Sequence, residues 1–144
     1  AVYTAFLFNQ ARARDLWQTP IQSAIHMLVH SVISGSVVMM LIAPESFHWM
    51  KNLLFWGIMA NMIMIAKEIL MPYDTHDTNK AIKLMTTGYY SKYFWLGVVI
   101  GSVTPIIMLS AYPDFVLIAG GCALIGIFLT EFVRIRVPQM IPLS

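Results

Sequence analysis

The sequence has few charged residues and a single cysteine, and each scarcity excludes classes of protein. Charged residues occupy 11% of the 144 positions, against about 25% in an average soluble domain. Apolar residues occupy 58% and mean hydropathy is +0.71, so a water-soluble fold would lack the polar surface to cover itself. The one cysteine, Cys122, lies in an apolar run. It excludes an internal disulfide and a cysteine-built metal site.

Several functional motifs are also missing. The formal net charge is +2, and the basic residues lie beside apolar segments rather than along a basic stripe, which argues against a nucleic-acid partner. The sequence contains no phosphate-binding loop and no pairing of a nucleophile with a base. It therefore supports neither a hydrolase nor an ATPase, and we assign no catalytic residue.

What the sequence has instead is four long apolar runs. They cover 21–43, 47–70, 93–111 and 115–130, and they are apolar on every side, which favours helices over the alternating strands of a barrel. A helix pairs its backbone amides within its own segment, as a lipid environment requires. We predict an all-α fold, an integral membrane bundle of four transmembrane helices plus the end of a preceding one.

The first twenty residues are predicted to be distinct from the bundle. Residues 1–8 are apolar but too short to span a bilayer, and no basic segment precedes them as in a signal peptide. We interpret them as the end of a helix whose beginning is missing. The domain prediction is then a truncated helix and polar loop at 1–20, followed by a four-helix transmembrane bundle with a C-terminal tail at 21–144. In this division, the tail begins at Glu131.

Small residues and one proline predict details of packing. Gly97 and Gly101 form a GxxxG pair on the third span, a pattern that marks close helix contacts but also occurs by chance. Gly35 would allow a close helix contact on the first span. Further glycines would do so on the fourth: Gly120, Gly121 and Gly126. Pro105 removes a backbone donor and should kink the third span. A short amphipathic helix is predicted at 81–86 in the long loop at 71–92.

Two histidines in the first span are the main candidates for chemistry. His26 and His30 lie one turn apart, and Ser23 and Ser34 share their helix face. Neutral histidines in hydrocarbon need hydrogen-bond partners, so this face should point inward. One interpretation is a proton relay or a quinone contact, because an imidazole can both donate and accept protons. The other is a pair of structural hydrogen bonds between helices.

The remaining titratable residues are weaker candidates for chemistry. Glu68 ends the second span beside Lys67, and it is either a proton-entry carboxylate or an interfacial charge that snorkels to water. Glu131 lies three residues before Arg134, a spacing typical of a local ion pair. The sequence does not obviously place a carboxylate or cysteine beside the histidine pair, so we predict no metal site.

A haem is not expected either. A b-type haem usually takes one histidine from each of two helices, and the other histidines, His48 and His76, lie near or beyond the membrane edges.

The charges are distributed unequally between the two membrane sides. Eight of the nine basic residues fall on the side that holds the loop at 71–92, called here the 71–92 side, and only Lys51 falls on the opposite side. Such a bias ordinarily places the 71–92 side in the cytoplasm. Acidic residues also lie there, which is consistent with a docking surface for another subunit.

Three stretches of the chain, in this order, resemble the NrfD/polysulphide-reductase type of membrane subunit. They are YTAFLF at 3–8 with ARDLWQTP at 13–20, FWLG at 94–97 with Pro105, and EFVRIRVPQMIPLS at 131–144. Ala5 and Asp15 stand where the family has glycine and proline. The tail and the loop after Glu68 are most similar to the C subunit of alternative complex III, a quinol-oxidising respiratory complex.

The resemblance implies a role in respiratory electron transport. Tyr3 matches the family's quinone-site tyrosine, whose partners come from earlier helices, so quinone or menaquinone would bind at a shared site. The implied partners are an iron–sulfur subunit, other membrane subunits and the lipid bilayer, in a bacterial inner membrane. The family also places the loop at 9–20 on the docking face, usually the outer one. That conflicts with the charge count unless an acidic partner covers the basic face.

The sequence therefore predicts a membrane subunit of a quinol-oxidising complex, which passes electrons to an iron–sulfur partner. Tyr3 is the predicted quinone contact, and His26, His30 and Glu68 are the predicted proton path. One alternative is the quinone-linked anchor of a polysulfide, thiosulfate or nitrite reductase. Another is a structural or assembly subunit without a redox role, and a small transporter is a third.

Overall fold

The chain is described by a computed structural model covering residues 20–43, 45, 47–70, 76–137 and 140. Within these residues the backbone forms helices and turns, with no strand. The predicted end of a preceding helix and most of the polar loop after it lie outside the described residues. The elements, in chain order, are α1 (Pro20–Ile42), α2 (Phe47–Leu70), α3 (His76–Thr86), α4 (Ser91–Val98), a π-helical turn (Val99–Val103), α5 (Thr104–Ala111), a 3-10 turn (Pro113–Phe115) and α6 (Val116–Arg136).

Among the described residues, four helical segments are long and apolar enough to cross a bilayer. They are Ile21–Ile42, Phe47–Leu70, Ser91–Ala111 and Val116–Arg136, and the third is continuous through α4, the π-helical turn and α5. Each has 21 to 24 residues, enough for a hydrocarbon core of about 30 Å at about 1.5 Å per residue. The predicted all-α membrane bundle with four transmembrane helices is confirmed.

The helix ends differ from the sequence prediction in two places. The fourth helix was predicted to end near Thr130 but continues to Arg136, so Glu131 and Arg134 belong to α6 and not to a tail. Their charges do not end the helix because they are paired with each other at 2.9 Å. The amphipathic helix α3 begins at His76 rather than at residue 81.

A wide turn precedes the proline of the third span. The backbone N–H of Thr104 donates to the carbonyl of Val99, five residues back, instead of the usual four. Pro105 follows immediately and has no N–H to donate. The interruption expected at the proline therefore takes the form of a π-helical turn before it.

Glycines allow the third span and α6 to approach closely. A Cβ on Gly101 would lie 2.6 Å from the Cα of Gly126, and a Cβ on Gly97 would lie 3.2 Å from the carbonyl oxygen of Gly126. The predicted helix contact at Gly97 and Gly101 is confirmed. Gly35 and Gly121 have open space around them, so the expectation that they allow close helix contacts is wrong within the described part of the chain.

The bundle interior has two apolar clusters at different depths. One includes Val37, Leu54 and Val116, which lie toward the side of the membrane opposite the 71–92 side. The other joins α3 to the transmembrane helices through Met85, Phe94 and other buried side chains, and lies at the 71–92 side. Large apolar side chains on the outer surface, such as Trp56 and Phe128, are exposed, as lipid-facing side chains are.

The glycine contact generates a stability prediction. We expect Gly126→Ala to lower the stability of the bundle by about 1–3 kcal/mol or more, because the new methyl group would collide with the backbone of Gly101. Thermal unfolding in detergent would measure the loss. Gly121→Ala on the same helix is the matched control, since it has no neighbour within 4 Å. Equal stability of the two variants would contradict the predicted contact.

Candidate functional site

The two histidines of α1 meet an asparagine of α2. His26 Nε2 and His30 Nε2 each lie 3.0 Å from the same atom, Oδ1 of Asn61. The two imidazole rings are 4.3 Å apart, centre to centre. Because the residues are spaced i and i+4, one turn of α1 directs both rings to one point on the neighbouring helix.

An arginine of α6 connects this trio to two carboxylates. The Arg134 guanidinium donates from Nη1 to Glu131 Oε1 at 2.9 Å, and from Nη2 to Glu68 Oε2. Its Nη1 also contacts both ring nitrogens of His26, at 3.2 Å from Nε2. Arg134 thus makes contact with side chains on α1, α2 and α6.

The carboxylate of Glu131 completes the cluster. Its Oε1 lies 3.6 Å from His26 Nδ1 and 3.5 Å from His30 Nδ1. Each histidine therefore has Asn61 beside one ring nitrogen and Glu131 near the other. We call this set of six residues the polar cluster: His26, His30, Asn61, Glu68, Glu131 and Arg134.

The polar cluster extends from one end of the bundle to about its middle. Glu68 and Arg134 lie two residues before the ends of α2 and α6. Asn61 lies nine residues before the end of α2, or roughly 14 Å along the helix axis. The half of the bundle beyond it is filled by the apolar cluster around Leu54 and Val116. The cluster thus lies in the half near the 71–92 side.

The cluster places charge where water is largely excluded. The side chain of Arg134 is 4% exposed, that of Glu68 is 13% exposed and that of Glu131 is 25% exposed. Ions in such surroundings are tolerated only when they are paired and hydrogen-bonded. Two carboxylates surround one guanidinium, so the formal charge of the cluster is −1 when both histidines are neutral.

Three side chains of the cluster offer ligand atoms that a metal ion could use. The nearest such atoms of His26, His30 and Glu131 lie within 4.8 Å of one another, and two histidines with one glutamate form a known zinc-binding set. The sequence-based argument that no carboxylate joins the pair is therefore wrong. However, the Arg134 guanidinium already contacts His26 and Glu131, so its positive charge lies where a cation would bind.

The structure places each candidate from the sequence as follows. His26 and His30 face the bundle interior, as predicted. Glu68 does not snorkel to water but turns inward to Arg134, because a carboxylate at this depth is stabilised by the buried guanidinium. The local pair of Glu131 with Arg134 is present and is part of a larger network. Tyr3 lies outside the described residues.

Asn61 is the member of the polar cluster that was not predicted from the sequence. A signal was available, since Asn61 and Glu68 lie seven residues apart in α2, two helical turns, and so share one face of a predominantly apolar helix. A buried amide in a transmembrane helix needs hydrogen-bond partners, as the histidines of α1 do. Pairing these two polar faces would have brought α1 and α2 together.

The network generates a prediction about Arg134. We expect Arg134→Gln to destabilise the bundle by about 3–5 kcal/mol, because Glu68 and Glu131 would stay largely shielded from water without their cation. Thermal unfolding of the detergent-solubilised protein is the measurement. Arg136→Gln is the matched control on the same helix, since that side chain is exposed and lies over the Phe132 ring. A loss as large in the control would contradict the role of the network.

Comparison with known proteins agrees with the architecture. The sequence profile of the family described as polysulphide reductase, NrfD, matches residues 1–142, nearly the whole chain. No curated protein and no solved structure matches it. Proteins of this family are membrane subunits of quinone-linked redox complexes, in which they associate with iron–sulfur and other membrane subunits. The chain belongs to the polysulphide reductase NrfD family, and it is a multi-pass membrane protein.

Proposed function

We propose that the chain is the membrane subunit of a quinol-oxidising respiratory complex of the alternative complex III type. It would help to pass electrons from quinol to an iron–sulfur partner in a bacterial inner membrane. Residues 1–20 would contribute the end of an earlier helix and a docking loop, with Tyr3 at a quinone site shared with preceding helices. The part played by the described helices would be to move protons.

The observation that carries the proton-moving role is the polar cluster. Quinol oxidation releases two protons, and a subunit beside the quinone needs groups that exchange protons with water. His26 and His30 can both donate and accept protons, and they lie 3.0 Å from Asn61. Glu68 lies between them and the membrane end. Ionisable side chains at this depth are costly in a membrane helix, and they commonly mark proton or ion pathways.

The position of the cluster supports exchange with one membrane side. Glu68 and Arg134 lie near the helix ends at the 71–92 side, while the opposite half of the bundle has an apolar core. Among the described residues, that half buries no ionisable side chain. The proposed path therefore connects the 71–92 side to the middle of the bundle.

A second candidate follows from the family description itself. The family carries the name of polysulphide reductase, and an anchor for a polysulfide, thiosulfate or nitrite reductase would have the same membrane architecture. Electrons would then run between quinone and a different soluble partner. Identification of the subunits that co-purify with the chain from native membranes separates the two candidates: iron–sulfur and haem-bearing partners with quinol-oxidising activity support the first.

The proton path is tested by replacing both histidines. We expect His26→Gln with His30→Gln to lower quinol turnover and its coupled proton release by roughly 100-fold, because glutamine forms hydrogen bonds but does not titrate. The measurement is quinol oxidation with a pH indicator in the purified complex. His48→Gln is the control, since His48 is exposed at the other end of α2. Unchanged turnover and proton release would leave the histidines a packing role, as a structural or assembly subunit predicts.

The quinone contact is tested separately at Tyr3. We expect Tyr3→Phe to raise the KM for quinol up to about tenfold, because one hydrogen bond from the phenol hydroxyl would be lost. Steady-state kinetics of the purified complex provide the measurement. Tyr89→Phe is the control, since that side chain is 80% exposed. Full quinol activity with unchanged KM in Tyr3→Phe would remove Tyr3 from the proposed quinone site.

A further inference from the structure

The hydrogen bonds of the polar cluster determine where the histidine protons are. Nε2 of His26 lies 3.0 Å from the amide oxygen of Asn61, which can only accept, so Nε2 carries the proton of the neutral imidazole. Nδ1 of His26 is then left with a lone pair. Arg134 Nη1, which can only donate, lies against both nitrogens of this ring.

The same amide oxygen assigns the proton of the second histidine. Oδ1 of Asn61 can only accept hydrogen bonds, and it has two lone pairs. It lies 3.0 Å from His30 Nε2 as well, so this nitrogen also carries its proton. Neutral His30 is then left with a bare lone pair on Nδ1. That nitrogen lies 3.5 Å from Glu131 Oε1.

Two acceptors that lie close together form a place for a proton. The 3.5 Å between His30 Nδ1 and Glu131 Oε1 is longer than a charge-assisted hydrogen bond of about 2.7–2.9 Å, as expected for two atoms without a hydrogen between them. At His26 the guanidinium of Arg134 lies against the ring, and its positive charge opposes a second proton there. The vacancy for a proton in the cluster is therefore at His30.

Charge balance in the cluster favours the same result. The ionisable groups that face this point are His26 and His30 from α1, Glu68 from α2, and Glu131 and Arg134 from α6. With neutral histidines they sum to −1, and one added proton brings the sum to zero. A buried site of low polarity favours the neutral total. A metal ion is a poorer occupant because Arg134 already lies against His26 and Glu131.

We infer that the polar cluster binds one exchangeable proton between His30 Nδ1 and Glu131 Oε1. The proton comes from hydronium at the 71–92 side: an O–H bond of hydronium breaks and leaves water, an N–H bond forms at Nδ1, and no electrons are transferred. Arg134 stays charged throughout and holds Glu131 in position. The assignment deepens the proposed function and rests on it for its role in turnover, but the bound proton is a property of the resting complex.

The test is an infrared pH titration of the intact purified complex carrying isotope-labelled histidine. We expect the wild type to show one titrating imidazole that both His30→Gln and Glu131→Gln lack. Glutamine at position 131 can donate to His30 Nδ1, which fills the vacancy and removes the need for a proton. His48→Gln and Glu45→Gln are the matched controls, since both side chains are exposed. Each control should retain the titrating signal.

Two results would overturn the assignment. One is persistence, in Glu131→Gln, of the titrating signal that His30→Gln lacks. The other is the absence of that signal from the wild type. Thermal unfolding shows whether each variant folds. Folding is expected, because glutamine keeps a hydrogen-bond acceptor and a donor at both positions. Quinol turnover measured on the same samples keeps the two proposals separate: loss of the signal with normal turnover supports the proton site and contradicts the proposed function. If the signal persists in His26→Gln with His30→Gln and turnover is impaired, the result contradicts the proton site and supports the proposed function.

Discussion

The buried guanidinium of Arg134 is the group on which the mutual arrangement of three helices depends. A positive charge at this depth is costly unless carboxylates surround it, and the two that do so come from different helices, Glu68 on α2 and Glu131 on α6. The same guanidinium reaches α1 through His26. Because one planar group must make contact with all three helices at once, their rotation about their own axes is restricted.

Packing of small residues complements this polar contact. The third span has no member of the polar cluster, and it approaches α6 through glycines instead, with Gly101 against Gly126. Between helices in lipid, association depends on close van der Waals packing and hydrogen bonds rather than on the hydrophobic effect. The bundle uses both: hydrogen-bonded ions join α1, α2 and α6, and backbone contact joins the third span to α6.

Much of the fold could be predicted because each helix reflects its own composition. The apolar runs predicted the four spans, the spacing of His26 and His30 predicted their inward face, and the GxxxG pair predicted a helix contact. The prediction for the end of α6 is wrong because the charges of Glu131 and Arg134, considered along one segment, indicate the end of a membrane span. Inside the bundle, mutual neutralisation lets them continue a transmembrane helix, and composition along one segment does not contain that information.

The amino-acid sequence by itself determined that the chain crosses the membrane as helices, since length and apolar content are local properties. It also determined which side chains share a helix face. Only the tertiary structure decided what those faces meet: His26 contacts Asn61 and Arg134, which lie 35 and 108 positions away. Such contacts depend on the relative depth and rotation of separate helices. These are decided by how ions and small residues pack together, so no single segment specifies them.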